Sequence, residues 1–260
     1  PKRSSTVLET YLAERRSDRP VILMTHIVIG YPDLDTSMRT VEAMVEAGVD
    51  LMELQIPFSE PIADGPVILH ANQKALGAGV TVADCFEFAE TCVRRFDIPF
   101  LFMSYYNILF RYGVDAFVER MASIGLRGAI VPDLPPEEGD VYLSAMETAG
   151  LDPIFIYSPN TPDARLDYLA QHARGFIYCV ARKGVTGATT SFSDDLSTYL
   201  GRCRAATSLP LAVGFGVKDA DDVRFLDGKA DIAVVGTQSI RILDEQGVSA
   251  VGDFVTELRA

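Results

Sequence analysis

The distribution of apolar residues along this 260-residue chain predicts a closed (β/α)₈ barrel. Three observations carry that prediction. Eight short apolar runs recur along the chain, with amphipathic segments between them. The runs are continuously apolar rather than alternating, as parallel strands covered on both faces are. The repeat from the first run to the last averages about 27 residues, close to the ~30 of a strand–helix–strand unit. An open, doubly wound sheet would carry a GxGxxG turn after its first strand, whereas this chain reads Gly30-Tyr31-Pro32-Asp33 there.

The elements follow in order. Thr6–Arg16 reads as a helix ahead of the barrel, placed to plug its N-terminal end. The strand-like runs are Val21–Ile29, Val49–Pro57, Ile98–Tyr105, Gly128–Val131, Pro153–Tyr157, Phe176–Val180, Leu211–Gly214 and Ile232–Val235. Between them, Asp35–Ala47 puts Met38, Val41 and Val45 on one helical face and stops at Gly48. Asp115–Ile124 stops at Gly125, Glu137–Ala149 at Gly150, and Pro162–Ala173 near Gly175. The stretch from Pro57 to Arg95 is too long for one loop and one helix. It reads as a proline-rich loop followed by two helices, Val67–Leu76 and Val82–Phe96. With no linker or low-complexity tract, residues 1–260 are expected to form a single domain.

Composition narrows the function. The net charge of −13 disfavours general nucleic-acid binding, because an acidic surface repels phosphate backbones at long range. A small phosphorylated ligand remains compatible, since helix N-termini act locally. Cys85, Cys92, Cys179 and Cys203 form no CxxC pair, and His26, His70 and His172 are far apart, so neither a zinc ribbon nor an HExxH site is expected. The cysteines read as free thiols. No signal peptide or membrane span is apparent, and a reduced cytoplasmic compartment is the natural expectation.

Glu53 is the most informative residue. It interrupts the apolar run Leu51-Met52-Glu53-Leu54-Gln55-Ile56, and a buried charge is costly unless paired or neutralised. Strand parity groups Leu51, Glu53 and Gln55 on one face and Met52, Leu54 and Ile56 on the other. If the first group faces the barrel axis, Glu53 points toward the active-site end and is suited to proton transfer. Asp64, eleven residues on in the proline-rich loop, reads by itself as a turn residue. Paired with Glu53 it gives two carboxylates in different environments, able to take different roles. Glycine-rich turns after three late strands, Gly184-Val185-Thr186-Gly187, Gly214-Phe215-Gly216 and Gly236-Thr237, read together as a phosphate cradle. A Schiff-base aldolase is disfavoured, because none of the five lysines lies inside a strand run. A metal-dependent aldolase would want clustered histidines, which are not seen.

These residues resemble the tryptophan synthase α-subunit family from about Leu8 to the C-terminus. The resemblance rests on Met52-Glu53-Leu54, Ile56-Pro57-Phe58-Ser59 and Pro61-Ile62-Ala63-Asp64-Gly65-Pro66, then Val131-Pro132-Asp133-Leu134-Pro135, Gly184-Val185-Thr186-Gly187 and Gly214-Phe215-Gly216. It implies a cofactor-free barrel lyase of tryptophan biosynthesis that cleaves indole-3-glycerol phosphate to indole and glyceraldehyde 3-phosphate. It implies Glu53 as the general acid/base and Asp64 as the carboxylate on the indole N–H. Tyr178 matches the active-site tyrosine, and Thr186 the loop threonine that closes onto Asp64. Gly187, Gly216, Gly236 and Thr237 match the phosphate site, and Phe215 and Tyr105 line the indole pocket. The implied partner is a pyridoxal-phosphate β subunit in an α₂β₂ assembly.

Three positions depart from the family pattern. Gln55 replaces a glycine, Glu60 replaces an aspartate in the loop that meets the β subunit, and His26 stands where an aromatic is usual. Gln55 and His26 either bond each other or water at the pocket rim, or alter substrate preference and activity. Other readings are a mainly regulatory module of a β subunit, a stand-alone lyase releasing indole, and a phosphate-binding barrel acting on another substrate. Retention of Glu53, Asp64 and Thr186 favours catalysis.

Overall fold

The computed structural model describes residues 4–180, 192–214 and 216–259. Eight parallel strands close into a barrel in sequence order. They are β1 (Ile22–Val28), β2 (Leu51–Gln55), β3 (Phe100–Met103), β4 (Gly128–Ile130), β5 (Asp152–Tyr157), β6 (Ile177–Val180), β7 (Leu211–Gly214) and β8 (Ile232–Val235). Pairing of β1 with β8, Ile22 opposite Ile232, closes the ring. All eight fall on the apolar runs: β1 to β4 and β6 are trimmed by a residue or two, β7 and β8 match, and β5 begins one residue earlier, at Asp152.

The helices are α1 (Val7–Asp18), α2 (Leu34–Glu46), α3 (Pro66–Gly77), α4 (Val82–Arg95), α5 (Tyr106–Tyr112), α6 (Val114–Ile124), α7 (Asp140–Ala149), α8 (Asp163–His172), α9 (Phe192–Ala206), α10 (Ala220–Phe225), α11 (Thr237–Gln246) and α12 (Val248–Glu257). Local chemistry sets several ends. Thr6 and Glu9 form a capping box on α1, and Thr81 and Asp84 do the same on α4. Gly125 and Gly150 adopt left-handed conformations that end α6 and α7. The segment expected as one helix over Glu137–Ala149 is divided. Pro136–Glu138 closes a 3₁₀ turn, Gly139 leaves helical geometry, and α7 begins at Asp140. Helices α5, α9, α10, α11 and α12 were not singled out by the apolar pattern. Two of them, α5 and α10, span two turns or fewer, too short for a 3.6-residue period to register.

Strand parity divides the core into two shells. Outward residues such as Met52, Leu54, Phe100, Phe102 and Val213 pack under the helices. Inward residues, including Ile22, Met24, Leu51, Leu101, Ile154 and Ile232, fill the barrel. Leu8 and Leu12 of α1 belong to this inner shell and are fully buried, so α1 plugs the N-terminal end as expected. Its attachment is polar at the margins: the Thr6 hydroxyl donates to Asp152 at 2.8 Å, and Glu9 accepts from the Gly175 N–H at 3.1 Å. Asp50 and Asp231, buried at the same end, accept backbone N–H groups of Leu23 and Leu211 and pair with Arg19, and with Arg16 and Arg204. Conserving hydrogen bonds to a buried carboxylate in this way offsets its desolvation. The four cysteines are free and buried. Among the described residues, no helix is long and apolar enough to cross a membrane.

Truncating Leu12 to alanine leaves a void under the plug and is expected to cost about 2–5 kcal/mol of stability. Urea unfolding of Leu12→Ala measures this; a loss under about 1 kcal/mol would show that α1 does not seal the barrel.

Candidate active site

The C-terminal ends of the strands surround a cavity of about 660 Å³, whose walls include His26, Glu53, Asp64, Tyr178, Gly214 and Gly236. Inward parity on β2 directs Glu53 to its floor, where the side chain is 2% exposed. Register sets His26 of β1 beside it. The His26 Nδ1 lies 2.9 Å from Glu53 Oε1, and the Tyr178 hydroxyl donates to the same oxygen at 3.3 Å. The second oxygen, Oε2, has no hydrogen-bond partner among the described residues. Glu53 is therefore held through one oxygen, while the other is buried without a partner among the described residues.

Asp64 reaches the same cavity from the β2–α3 loop. Gln55 Nε2 donates to its Oδ2 at 2.6 Å. The loop is itself anchored: the Tyr105 hydroxyl accepts from the Ala63 N–H at 3.1 Å, and Asn72 Oδ1 accepts from the Phe58 N–H at 2.8 Å. Phe58 stacks on Tyr105 with ring centres 5.0 Å apart. Tyr105 thus stands beneath the loop as a fully buried support. On the neighbouring wall, Asp133 accepts from the Tyr106 N–H at 2.8 Å and ties β4's exit to α5.

The electrostatics separate the groups. Burial raises the Asp64 pKa, and the Glu53 charge adds to this, while the Gln55 hydrogen bond and the His26 charge pull the other way. For His26, burial disfavours the charged ring, but the hydrogen bond and charge of Glu53, with the charge of Asp64, outweigh it, so its pKa is raised. Burial, then the Glu53 charge, pushes the Tyr178 pKa well up, so the hydroxyl stays a donor. Two close carboxylates with a histidine between them form a unit in which protonation at one position affects the others.

The opposite wall is glycine-lined. A Cβ on Gly214 would lie 3.1 Å from the Tyr178 ring, and one on Gly236 would lie 3.3 Å from the His26 Cβ. Both glycines therefore leave room for side chains that reach Glu53. Gly216 has φ +83°, a left-handed conformation that favours glycine. Gly236 and Thr237 stand at the N-terminus of α11 and, with Gln238, line one end of the cavity, where a helix start suits an anion.

The structure thus brings together Glu53, Asp64, Tyr178, Gly216, Gly236 and Thr237 around one cavity, with Tyr105 behind the loop. Thr186, Gly187 and Phe215 lie outside the described residues. The expectation that His26 and Gln55 sit at the pocket rim is corrected. They are 4% and 0% exposed, and each is bonded to a carboxylate. Sequence reading flagged both as departures but did not pair them with Glu53 and Asp64. The available signal was parity, which puts both side chains inside the barrel. Glu60 is exposed in the β2–α3 loop.

Fold and site together define a (β/α)₈ barrel equipped for acid–base chemistry beside a helix N-terminus suited to an anion. Comparison with known proteins is more specific. The family model described as tryptophan synthase alpha chain matches residues 12–257. The tryptophan synthase alpha chains of Syntrophotalea carbinolica and Desulforapulum autotrophicum are 66% and 64% identical over 97% of this chain and 100% of theirs. Among solved structures, a Mycobacterium tuberculosis tryptophan synthase superposes with TM-score 0.90 at 33% identity, covering 98% of this chain and 97% of that one. The Legionella pneumophila tryptophan synthase subunit alpha gives TM-score 0.89 at 29% identity, covering 98% of both chains. The chain belongs to the tryptophan synthase alpha chain family, lyases of tryptophan biosynthesis.

The raised His26 pKa has a consequence for stability. An unfolded histidine titrates near about 6.5. The folded protein therefore binds the proton more tightly, and this contribution is fully present below that value and fades as pH rises through the folded one. Urea unfolding at about pH 6 and about pH 9 is expected to show wild type losing stability relative to His26→Phe toward the higher pH. A difference that does not change with pH would contradict it.

Proposed function

We propose that this chain cleaves indole-3-glycerol phosphate to indole and glyceraldehyde 3-phosphate, working with a tryptophan synthase β subunit. The observation that carries this reading is buried Glu53, whose Oε2 has no partner among the described residues, at the floor of a cavity that Asp64 also enters and that ends at the α11 N-terminus.

The chemistry follows from the leaving group. A neutral indole leaves poorly until its ring carbon is protonated. Glu53 delivers a proton from Oε2 to that carbon, and positive charge spreads onto the ring nitrogen. Asp64 accepts the indole N–H and offsets that charge. The same Glu53 oxygen, now ionised, takes the proton of the adjacent glycerol hydroxyl. The carbon–carbon bond breaks, its electron pair neutralises the ring, and the hydroxyl carbon becomes the aldehyde. Glu53 ends protonated as it began, so the cycle needs no cofactor and no external proton. Tyr178 orients Glu53 through Oε1.

The phosphate is assigned to the Gly216 turn, Gly236, Thr237 and the first N–H groups of α11, with Gly187 added by resemblance. Phe215 and Tyr105 are assigned to the indole end, and Thr186 to a loop contact with Asp64. An α₂β₂ assembly and a cytoplasmic setting complete the reading, the latter supported by four free thiols.

The purified chain is expected to cleave indole-3-glycerol phosphate slowly, and much faster when a cognate β subunit is added. Glu53→Gln is expected to lower cleavage by about 10²–10⁴-fold while still binding the substrate. Full activity in that variant, or no cleavage by the folded wild type with its partner, would remove the assignment.

A further inference from the structure

The two family departures inside the barrel fall on the same pair of strands, and each holds one carboxylate. His26 Nδ1 is 2.9 Å from Glu53 Oε1. Gln55 Nε2 is 2.6 Å from Asp64 Oδ2. The remaining polar atoms of these two side chains, His26 Nε2 and Gln55 Oε1, are both buried and both lack a hydrogen-bond partner among the described residues. Leaving a buried donor or acceptor unpaired is costly. They are also complementary, since a protonated ring nitrogen donates and an amide carbonyl accepts.

We propose that His26 and Gln55 form a hydrogen-bonded bridge joining the two carboxylates, in which the His26 ring donates Nδ1–H to Glu53 and Nε2–H to the Gln55 carbonyl, while the Gln55 amide donates to Asp64. The proposal rests on the reading of Glu53 and Asp64 as the reacting pair. His26 and Gln55 act as positioning residues and exchange no proton with substrate. The bridge occupies Oε1 of Glu53 and leaves Oε2 as the oxygen through which the proton passes. Once Glu53 has given up its proton, the bridge sets one positive ring between two negative groups that would otherwise repel each other.

The surroundings of His26 support a charged ring. Glu53 and Gln55 approach from β2 and Asp64 from the β2–α3 loop. Tyr178 of β6 reaches the same Glu53 oxygen. Past the end of β8 the ring lies beside Gly236, where an added Cβ would come within 3.5 Å of it, and Ser239 of α11 lines the same small pocket as His26. Both the Glu53 and Asp64 charges and the Gln55 carboxamide favour protonation, and together they overcome the burial that opposes it. A glycine at position 55 and an aromatic at 26 would remove both halves of the bridge together.

The test uses the full chain with its β subunit and four variants: His26→Phe, His26→Asn, Gln55→Gly and the double variant His26→Phe/Gln55→Gly. His26→Phe is expected to lower kcat about tenfold or more with KM changed less than about twofold, and to abolish a limb of the pH–rate profile. His26→Asn, which keeps a donor toward Glu53, is expected to recover part of kcat. The double variant is expected to lose no more than His26→Phe alone, because either change breaks the same bridge. Unchanged kcat and pH profile in His26→Phe, or losses that multiply in the double variant, would overturn the proposal. A second readout does not need turnover. In ¹⁵N spectra of the substrate-free chain, His26 is expected to titrate above an ordinary histidine, and Gln55→Gly is expected to lower that midpoint. A midpoint unmoved by Gln55→Gly overturns the bridge even if His26→Phe fails to fold. Absence of cleavage by wild type, with the midpoint shifting as expected, would instead fault the assigned reaction and leave the bridge standing.

Discussion

Burying a carboxylate inside a barrel is the constraint from which most of this site follows. Glu53 occupies a strand position that apolar side chains fill at most neighbouring inward sites. Its charge has lost its water, so it must find partners within the protein. The ring of His26 and the hydroxyl of Tyr178 supply them, both on Oε1. Those partners in turn need space, and Gly214 and Gly236 provide it, each standing where a side chain would crowd the Tyr178 or His26 ring. One buried charge thus bears on residues of β1, β6, β7 and the β8–α11 junction.

The two ends of the barrel show how differently the same chemical group is treated. At the N-terminal end, Asp50 and Asp231 are bound by backbone N–H groups and by arginines, with α1 packed over the same face. They are committed to structure. At the C-terminal end, Glu53 keeps one oxygen without a partner among the described residues, and Asp64 accepts from the Gln55 amide beside an open cavity. Incomplete satisfaction costs stability, and it is the condition under which a group remains free to exchange a proton. The division follows the usual separation of stability and chemistry between the faces of such barrels.

Asp64 illustrates how a loop acquires the precision of a strand. It lies on a proline-rich segment with no ladder hydrogen bonds of its own. Tyr105 and Asn72 hold that segment through its backbone N–H groups, and Phe58 stacks on Tyr105. The functional side chain therefore rests on aromatic packing contributed by β3's exit and on a buried asparagine of α3. Substitution in that support would misplace Asp64 without touching it.

Eight strands, their order and the inward direction of Glu53 were legible in the sequence, because continuous apolar runs and two-residue parity are local properties of the chain. The resemblance carried by the Glu53-to-Pro66 segment identified the family from residues alone. What remained hidden depends on register between strands and on which loop folds over which end. His26 and Gln55 were visible as anomalies, yet only closure of β1 against β2 set one beside Glu53, and only the path of the β2–α3 loop brought Asp64 to the other. Short helices such as α5, and the break at Gly139, likewise follow from contacts rather than period. Periodicity tells a side chain which face it takes; long-range packing alone decides what it meets there.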